Sequence, residues 1–140
     1  MQLELATPTR LLVSGEVDEV VAPGTEGYFG VLPGHAALLT TLSAGELRYR
    51  QGREEHRIAV IGGFAEVNGD RVIILAEEAE RPEEIDRARA EGARQRAEQR
   101  LAGRGPRGSQ EGIDYVRALA ALQRALARLQ VADHGLGSIR

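Results

Sequence analysis

The strongest constraint in the sequence is an abrupt change of character at Arg81-Pro82-Glu83-Glu84. Before this point, short β-branched and alternating segments are separated by glycine and proline. After it, the chain is rich in Ala, Glu, Gln, Arg and Leu, which are good helix formers. Proline is favoured at the first position of a helix, and acidic residues suit the positive end of the helix dipole. We therefore expect an α+β protein with two domains, residues 1–80 and residues 81–140.

The N-terminal region is predicted to be β structure from about residue 2 to residue 78. Leu3 and Leu5 alternate with polar neighbours, and the run from Ile58 to Ile61 is typical of a buried strand. Asn68-Gly69 predicts a two-residue hairpin turn, because both residue types tolerate a positive φ. Many short strands with no helix between them predict an antiparallel sandwich or barrel. Further turn signals lie at Ser14-Gly15, Pro23-Gly24, Pro33-Gly34, Ala44-Gly45, Gln51-Gly52 and Gly62-Gly63.

The C-terminal region predicts two helices, from about residue 83 to 101 and from about residue 113 to 132. The glycine-rich segment from Gly103 to Gly108 separates them, so an antiparallel helical hairpin is the natural arrangement. Spacings of four and three residues predict that one stripe of the second helix packs against the first. Because the first helix carries little apolar surface, we expect weak docking of the hairpin on the β domain. The predicted stripes are Tyr115, Leu119, Leu122, Leu126 and Leu129 on the second helix, and Ala90, Ala93, Ala97 and Leu101 on the first.

No catalytic or metal-binding motif stands out in the sequence. Cysteine is absent and all 18 basic residues are arginine, so disulfides, thiolate metal sites and a phosphate-loop lysine are excluded. The glycine-rich segment from Gly24 to Gly30 therefore predicts a turn between strands. His35, His56 and His134 lack metal-ligand spacing, and no serine has the surroundings of a nucleophile. We expect a protein that is not an enzyme and that requires no cofactor.

The sequence also gives expectations about membranes and compartment. No segment has the length and apolar character of a membrane-spanning helix, and Met1-Gln2-Leu3-Glu4 does not begin a secretion signal. We expect a cytoplasmic protein that does not insert into a membrane and does not bind nucleic acid.

Charge is unevenly distributed along the chain. Residues 1–80 contain 6 Arg and 13 Asp or Glu, a net charge of −7, whereas residues 81–140 contain 12 Arg and 8 Asp or Glu, a net charge of +4. The asymmetry favours two regions that face different partners, with a solvated basic helix surface as the alternative. If the arginine stripes on the two helices converged, carboxylates or a bound anion would have to neutralise them. Two separate solvated stripes are the other reading; their members are Arg89, Arg96 and Arg100, and Arg117, Arg124 and Arg128.

Three groups of residues, taken together, resemble the epsilon subunit of bacterial F-type ATP synthases over nearly the whole chain. The Leu-Pro-Gly-His turn and the Gly-Gly-Phe hairpin are specific in combination. One departure is Tyr28-Phe29, where the family often has Glu-Leu, so the family's charged side chain is missing at Tyr28. The matching residues are Gly24-x-x-Gly27-x-x-Gly30-Val31-Leu32-Pro33-Gly34-His35-Ala36-x-Leu38-Leu39; Gly62-Gly63-Phe64-x-Glu66-Val67 before Val72-x-Ile74-Leu75-Ala76; and Asp86-x-x-Arg89-Ala90 with Asp114-Tyr115-x-x-Ala118-x-Ala120-x-Leu122-x-x-Ala125.

The resemblance implies a β-sandwich of about ten strands followed by a helical hairpin. It also implies a non-catalytic central-stalk subunit that couples proton flow to ATP synthesis. In the family, the sandwich binds the gamma subunit and rests on the c-ring, at the cytoplasmic face of the bacterial inner membrane. Loops near the ring would carry the matching contact residues Glu26, Tyr28, Phe29, Pro33, Gly34 and His35.

The resemblance further implies that the hairpin regulates the enzyme. The hairpin can fold onto the sandwich or extend into the alpha/beta catalytic head. There Arg117, Arg124 and Arg128 would meet acidic segments of the beta subunits, and ATP hydrolysis would be inhibited. Some bacterial members bind regulatory ATP on the folded hairpin. The positions that match that site are Glu80, Ile85, Asp86, Arg89, Ala90, Arg96, Arg124 and Arg128.

An alternative of a different class is a free nucleotide sensor with the same sandwich and hairpin, not attached to any motor. ATP binding in the absence of partners would be its distinguishing property. A hydrolytic enzyme is a third class, which no motif in the sequence supports.

Overall fold

A computed structural model describes residues 1–103 and 111–137 of the chain. In these residues seven strands come first and the helices follow. The strands are β1 (Gln2–Ala6), β2 (Leu11–Glu16), β3 (Glu19–Gly24), β4 (Gly27–Val31), β5 (Leu38–Gln51), β6 (Glu54–Asn68) and β7 (Arg71–Glu80). After them come a short 3-10 helix (Pro82–Glu84), α1 (Arg87–Leu101) and α2 (Glu111–Gly137).

The strands form one continuous sheet in the order β2-β1-β7-β6-β5-β3-β4. All neighbouring pairs are antiparallel except β1 and β7, which run parallel, so the prediction of an antiparallel sheet holds for most of it. The expected number of about ten strands is too high for the described residues. The two central strands, β5 and β6, are 14 and 15 residues long and each replaces what would otherwise be two shorter strands.

The long strands bend where the alternation of inward and outward side chains changes phase. In β6 the core residues are even-numbered up to Val60 and odd-numbered from Ala65 onward. Gly62 and Gly63 lie at this change, with φ of 68° and 119°, which side chains rarely adopt. A Cβ atom on Gly63 would also collide with the carbonyl oxygen of Leu75 in β7. Glycine is therefore required for the bend, and the bend lets one sheet close over its own core.

The sandwich has a core of its own. The main hydrophobic cluster draws buried side chains from all seven strands, and its members all lie between residues 3 and 79. Leu3, Leu5, Leu47, Ile58 and Ile74 are among the largest of them, each with at most 2% of its surface exposed. Full burial of such a side chain contributes about 1.5–3 kcal/mol. The β domain therefore does not depend on the helices for its core.

The turn between β6 and β7 differs by one residue from the prediction. Asn68 still pairs with Arg71, so the two turn residues are Gly69 and Asp70. Only Gly69 has a positive φ, 61°, so the turn needs glycine at a single position. The predicted two-residue hairpin turn is therefore present, one residue further along the chain than expected.

The helices begin at different residues from those predicted. The segment after Pro82 forms one 3-10 turn, and α1 starts at Arg87 because the Asp86 carboxylate caps it by accepting a hydrogen bond from the Arg89 backbone N–H at 3.0 Å. The second helix is longer than the predicted range 113–132. Most of the predicted glycine-rich break, from residue 104 to residue 108, lies outside the described residues.

The two helices pack through small side chains. Ala90 and Ala97 of α1 are buried as expected. On α2 most of the buried residues are alanines; the buried set is Ala118, Ala125, Ala127, Leu129, Val131 and Ala132. The predicted stripe of large residues on α2 is largely wrong, because Tyr115, Leu119 and Leu126 are exposed by 57%, 38% and 46%. Alanine allows the two helix axes to approach closely. The stripe of α2 that faces inward is therefore the alanine stripe, which lies beside the predicted leucine stripe on the helix surface.

Neither described helix is both long enough and apolar enough to cross a membrane.

Candidate functional site

The folded hairpin covers the outer face of the sheet where the C-terminal part of β5 pairs with the N-terminal part of β6, and α2 packs on both strands there. Ala59 and Ile61 are 1% and 8% exposed, yet neither belongs to the sandwich core. Their side chains alternate with the core residues Ile58 and Val60, so they point to the opposite face. This small apolar contact, together with the polar contacts around it, forms the docking interface between the hairpin and the sandwich.

Arg128 makes the first polar contact across the interface. Its Nε donates to Glu80 Oε1 at 2.5 Å and its Nη2 donates to Glu78 Oε2 at 2.9 Å. Both carboxylates belong to the end of β7. The contact joins the basic helical region to the acidic β domain. The opposite net charges of the two regions, visible in the sequence, therefore meet at this interface.

A second polar contact lies near the C-terminal end of α2. The carboxylate of Glu46 in β5 is only 6% exposed, and Arg57 Nη1 in β6 donates to its Oε1 at 2.6 Å. His134 Nδ1 of α2 lies 2.5 Å from the other oxygen, Oε2. Arg57 also pairs with Glu55 at 2.9 Å. Because a buried carboxylate is costly without partners, Arg57 and the hydrogen bond with His134 are what make Glu46 acceptable in this interface.

The linker between the domains is held by its own ion pair. Arg10, in the turn before β2, makes a two-pronged contact with Glu84 through Nη1 at 2.5 Å and Nη2 at 3.0 Å. Hydrogen bonding from Arg10, and then from the Arg81 backbone N–H, holds the pKa of the Glu84 carboxyl below its usual value. The linker is thereby tied to the sandwich just before the helices begin.

The residues predicted for ATP binding lie around this linker and along the two helices. Glu80 already accepts the hydrogen bond from Arg128, and Asp86 caps α1 rather than contacting the Arg89 side chain. Arg89 and Arg96 are exposed, Arg124 is half-buried, and none of the three forms an ion pair with the side chains described for residues 1–103 and 114–134. The remaining members are Ile85, which follows the 3-10 helix and is half-buried, and Ala90, which is buried against α2.

The predicted rotor-contact residues lie on both ends of β4. Glu26 is exposed in the turn that precedes β4, and Pro33 and Gly34 are exposed in the turn that follows it. His35 closes this second turn, with its backbone N–H donating to Leu32 O at 3.1 Å. The two turns are therefore about 13 Å apart, the length of a five-residue strand.

Tyr28 and Phe29 were expected in a loop but belong to strand β4 itself. Phe29 packs against the sandwich core. The Tyr28 hydroxyl accepts a hydrogen bond from the backbone N–H of Glu46 at 3.1 Å, while the side chain stays 57% exposed. Gly45 permits this contact, because a Cβ there would lie 2.8 Å from the Tyr28 hydroxyl oxygen.

The residues predicted to meet the beta subunits are unequally placed on α2. Arg117 is exposed, whereas Arg124 is half-buried and Arg128 is engaged with Glu78 and Glu80. In the folded hairpin, Arg128 is therefore held against β7, with its charge neutralised by two carboxylates.

Sequence reasoning missed an apolar patch on the part of the sheet beyond the Gly62-Gly63 bend. It is formed by Leu39, Phe64 and Leu75. These side chains are 73%, 57% and 55% exposed. Phe64 pairs directly with Leu75 across β6 and β7, and Leu39 of β5 pairs with Glu66, two residues along β6 from Phe64. The available signal was the presence of large apolar residues at positions that alternate with the core. Exposed apolar side chains grouped on one face are typical of protein contact surfaces.

The fold defines a class of protein in which a β-sandwich is followed by a docked helical hairpin. Residues 1–82 match the family described as "ATP synthase, Delta/Epsilon chain, beta-sandwich domain". Residues 83–133 match the family described as "ATP synthase, Delta/Epsilon chain, long alpha-helix domain". The chain belongs to the ATP synthase delta/epsilon chain family.

Curated relatives narrow the similarity to epsilon chains. The ATP synthase epsilon chain of Nitratidesulfovibrio vulgaris (strain DP4) is 51% identical over 131 residues, which cover 94% of each chain. That of Moorella thermoacetica is 52% identical over 133 residues, covering 94% of this chain and 96% of the relative. Among solved structures, a chain of the Euglena gracilis mitochondrial ATP synthase, from its OSCP/F1/c-ring assembly, has a TM-score of 0.77 and 27% identity. The match covers 94% of this chain and 80% of the Euglena chain.

Proposed function

We propose that the protein is the epsilon-type central-stalk subunit of a proton-translocating ATP synthase, and that it has no catalytic activity of its own. The sandwich binds the gamma subunit and rests on the c-ring, so it turns with the rotor. The complex lies at the cytoplasmic face of the bacterial inner membrane, and this subunit is peripheral. The membership of the family and the similarity to chains named epsilon support this assignment.

The observation that carries the proposal is the contrast between the two domains. The main core cluster lies wholly within the sandwich, whereas the hairpin docks on the outer face at Ala59 and Ile61 and through the polar contacts of Arg128 and His134. Exposed or half-exposed ion pairs contribute only about 0.2–1 kcal/mol each. A rigid platform with a weakly docked hairpin is the arrangement that a rotor subunit with a movable regulatory arm requires.

We assign the gamma subunit to the apolar patch of Leu39, Phe64 and Leu75. This face is not covered by the hairpin in the described residues, and replacement of its side chains should not disturb the core. Phe64→Ser should weaken binding to gamma at least tenfold while the melting temperature of the isolated subunit changes little. Leu32→Ser is the matched control, because Leu32 is 53% exposed in the turn after β4, the edge strand at the opposite side of the sheet from β7. Equal gamma affinity in both variants would refute the assignment.

The division of labour can be tested by removing residues 81–140. The truncated sandwich should fold, bind gamma with unchanged affinity and fail to inhibit ATP hydrolysis by the reconstituted complex. Ala59→Ser and Ile61→Thr, introduced together, keep the face exposed by the truncation soluble. A truncated protein that folds but does not bind gamma would contradict the proposal.

We further propose that ATP, where it binds, competes with the closed docking contact rather than filling an open pocket. Glu78 and Glu80 already neutralise Arg128 and fix its orientation, so a phosphate group that recruits this guanidinium has to compete with two carboxylates for its charge. Isothermal titration of ATP into the isolated protein tests this, with Arg89→Ala and Arg124→Ala as site variants. Heat that is unchanged in both variants would place ATP elsewhere, and an absence of heat in the wild type would remove ATP from the mechanism.

A further inference from the structure

The contact between His134 and Glu46 joins the end of α2 to the middle of the sheet. His134 Nδ1 lies 2.5 Å from Glu46 Oε2, and the histidine side chain is 44% exposed, whereas the carboxylate is 6% exposed. A separation of 2.5 Å between a ring nitrogen and a carboxylate oxygen requires a proton between them, so Nδ1 carries a hydrogen and donates it. The other ring nitrogen, Nε2, is the one that gains or loses a proton as pH changes.

The charge of the imidazole changes the strength of this contact. When Nε2 is protonated, the contact is an imidazolium–carboxylate ion pair; when it is not, the contact is a neutral donor on a carboxylate. An imidazolium adds a Coulombic attraction to the carboxylate that a neutral imidazole lacks, and this attraction is larger at a partly buried site than in bulk water. Histidine is the side chain whose charge ordinarily changes between about pH 5 and pH 8.

The neighbouring charges decide the direction of the effect. From β6, Arg57 Nη1 lies 3.4 Å from His134 Nδ1 and opposes protonation. Its charge is shared between Glu46 at 2.6 Å and Glu55 at 2.9 Å. From β5, Arg48 pairs with Glu55 at 3.2 Å, on the far side of Arg57. From α1, Arg87 pairs with Asp133, the residue before His134. The nearest charge to the imidazole is therefore the carboxylate of Glu46, and protonation stabilises the contact.

We infer that His134, Glu46 and Arg57 form a proton-operated latch that holds the hairpin closed on the sandwich. Protonation of His134 tightens the latch, and deprotonation at higher pH loosens it. Opening of the hairpin is thereby favoured as pH rises. The consequence that inhibition of ATP hydrolysis would strengthen at higher pH rests on the proposed function; the latch itself is a property of the isolated chain.

The latch can be measured because the chain contains no cysteine. In an Ala59→Cys protein, the single thiol lies under α2 and reacts with a thiol reagent only when the hairpin opens. Its protection factor is the rate for a free model thiol divided by the observed rate at the same pH. We expect the protection factor to be about 1.5- to 5-fold higher at about pH 5.5 than at about pH 8.5, the range that a half-exposed ion pair supplies. His134→Gln, which keeps a hydrogen-bond donor but does not titrate, should remove this pH dependence.

His56→Gln is the matched control, since His56 stacks on Tyr49 within the sandwich and does not touch the hairpin. It should retain the full pH dependence. Protection that does not change with pH in the wild type would overturn the inference, as would a pH dependence that survives His134→Gln. Circular dichroism at both pH values confirms that each variant is folded, and labelling of a denatured sample gives the unprotected rate.

Discussion

Removal of the Arg128 side chain gives the sharpest test of weak hairpin docking. Arg128→Ala abolishes two charge-assisted hydrogen bonds, to Glu80 at 2.5 Å and to Glu78 at 2.9 Å. Glu80 is 29% exposed and Glu78 is 60% exposed, so solvent screens the second pair more strongly. The variant also leaves two nearby carboxylates without the cation between them. The expected result is a hairpin that opens more readily on an intact sandwich.

The expected size of the effect follows from these exposures. An exposed ion pair contributes about 0.2–1 kcal/mol, and a partly buried charged hydrogen bond contributes about 1–2 kcal/mol. Their loss should weaken docking by about 1–3 kcal/mol, which corresponds to a roughly 5- to 150-fold increase in the opening equilibrium. The free energy of unfolding of the sandwich should be unchanged, since Arg128 contributes nothing to its core.

Hydrogen exchange measured by mass spectrometry checks this prediction. Peptides that cover α2 should lose protection by about the stated factor, while peptides from β1 and β7 keep theirs. Arg117→Ala is the matched control, because Arg117 lies on the same helix and is exposed. If Arg128→Ala reduced protection no more than Arg117→Ala, the ion pairs would not hold the hairpin. Equal loss across α2 and the strands would show that the domains unfold together.

Three further predictions concern the bend, the linker and the helix interface. Gly63→Ala should lower the free energy of sandwich unfolding by more than about 2 kcal/mol in urea titrations, because of its φ of 119° and the collision of Cβ. Gly69→Ala, where φ is 61° and Cβ meets nothing, should cost less, and equal costs would contradict the bend. Arg10→Ala should destabilise the chain near pH 7. Because Arg10 lowers the pKa of Glu84, this stabilisation exists above the usual glutamate pKa of about 4.3 and disappears as pH falls through the lowered pKa, so unfolding curves of variant and wild type should converge in acid. Ala125→Leu should overfill the α1–α2 contact at a cost of about 1–3 kcal/mol, visible as lost protection of both helices but not of the strands.

Several structural features follow from residue order and local chemistry alone. The β-branched runs and the glycine turns before Arg81 specify strands, and the alanine- and arginine-rich segments after Pro82 specify helices, because these preferences act over a few neighbouring residues. The burial of Ala90 and Ala97 was predictable from their spacing on one helix. The absence of lysine and cysteine also excluded whole classes of chemistry without any coordinates.

Tertiary contacts decided the rest. Two neighbouring stripes of α2 have helical spacing, and sequence favoured the larger side chains; the close approach of α1 selected Ala118 and Ala125 instead. Continuation of β5 and β6 through the bend reduced the strand number, because Gly62 and Gly63 let one strand change phase rather than end. Glu46, Arg57 and His134 are far apart in the chain, and nothing in their local sequence indicates that they meet. The sequence by itself determined which segments are strands and helices, since that depends on local preference. The faces that became buried and the charges that became partners were decided only when those segments packed, because packing and charge pairing depend on distances in space.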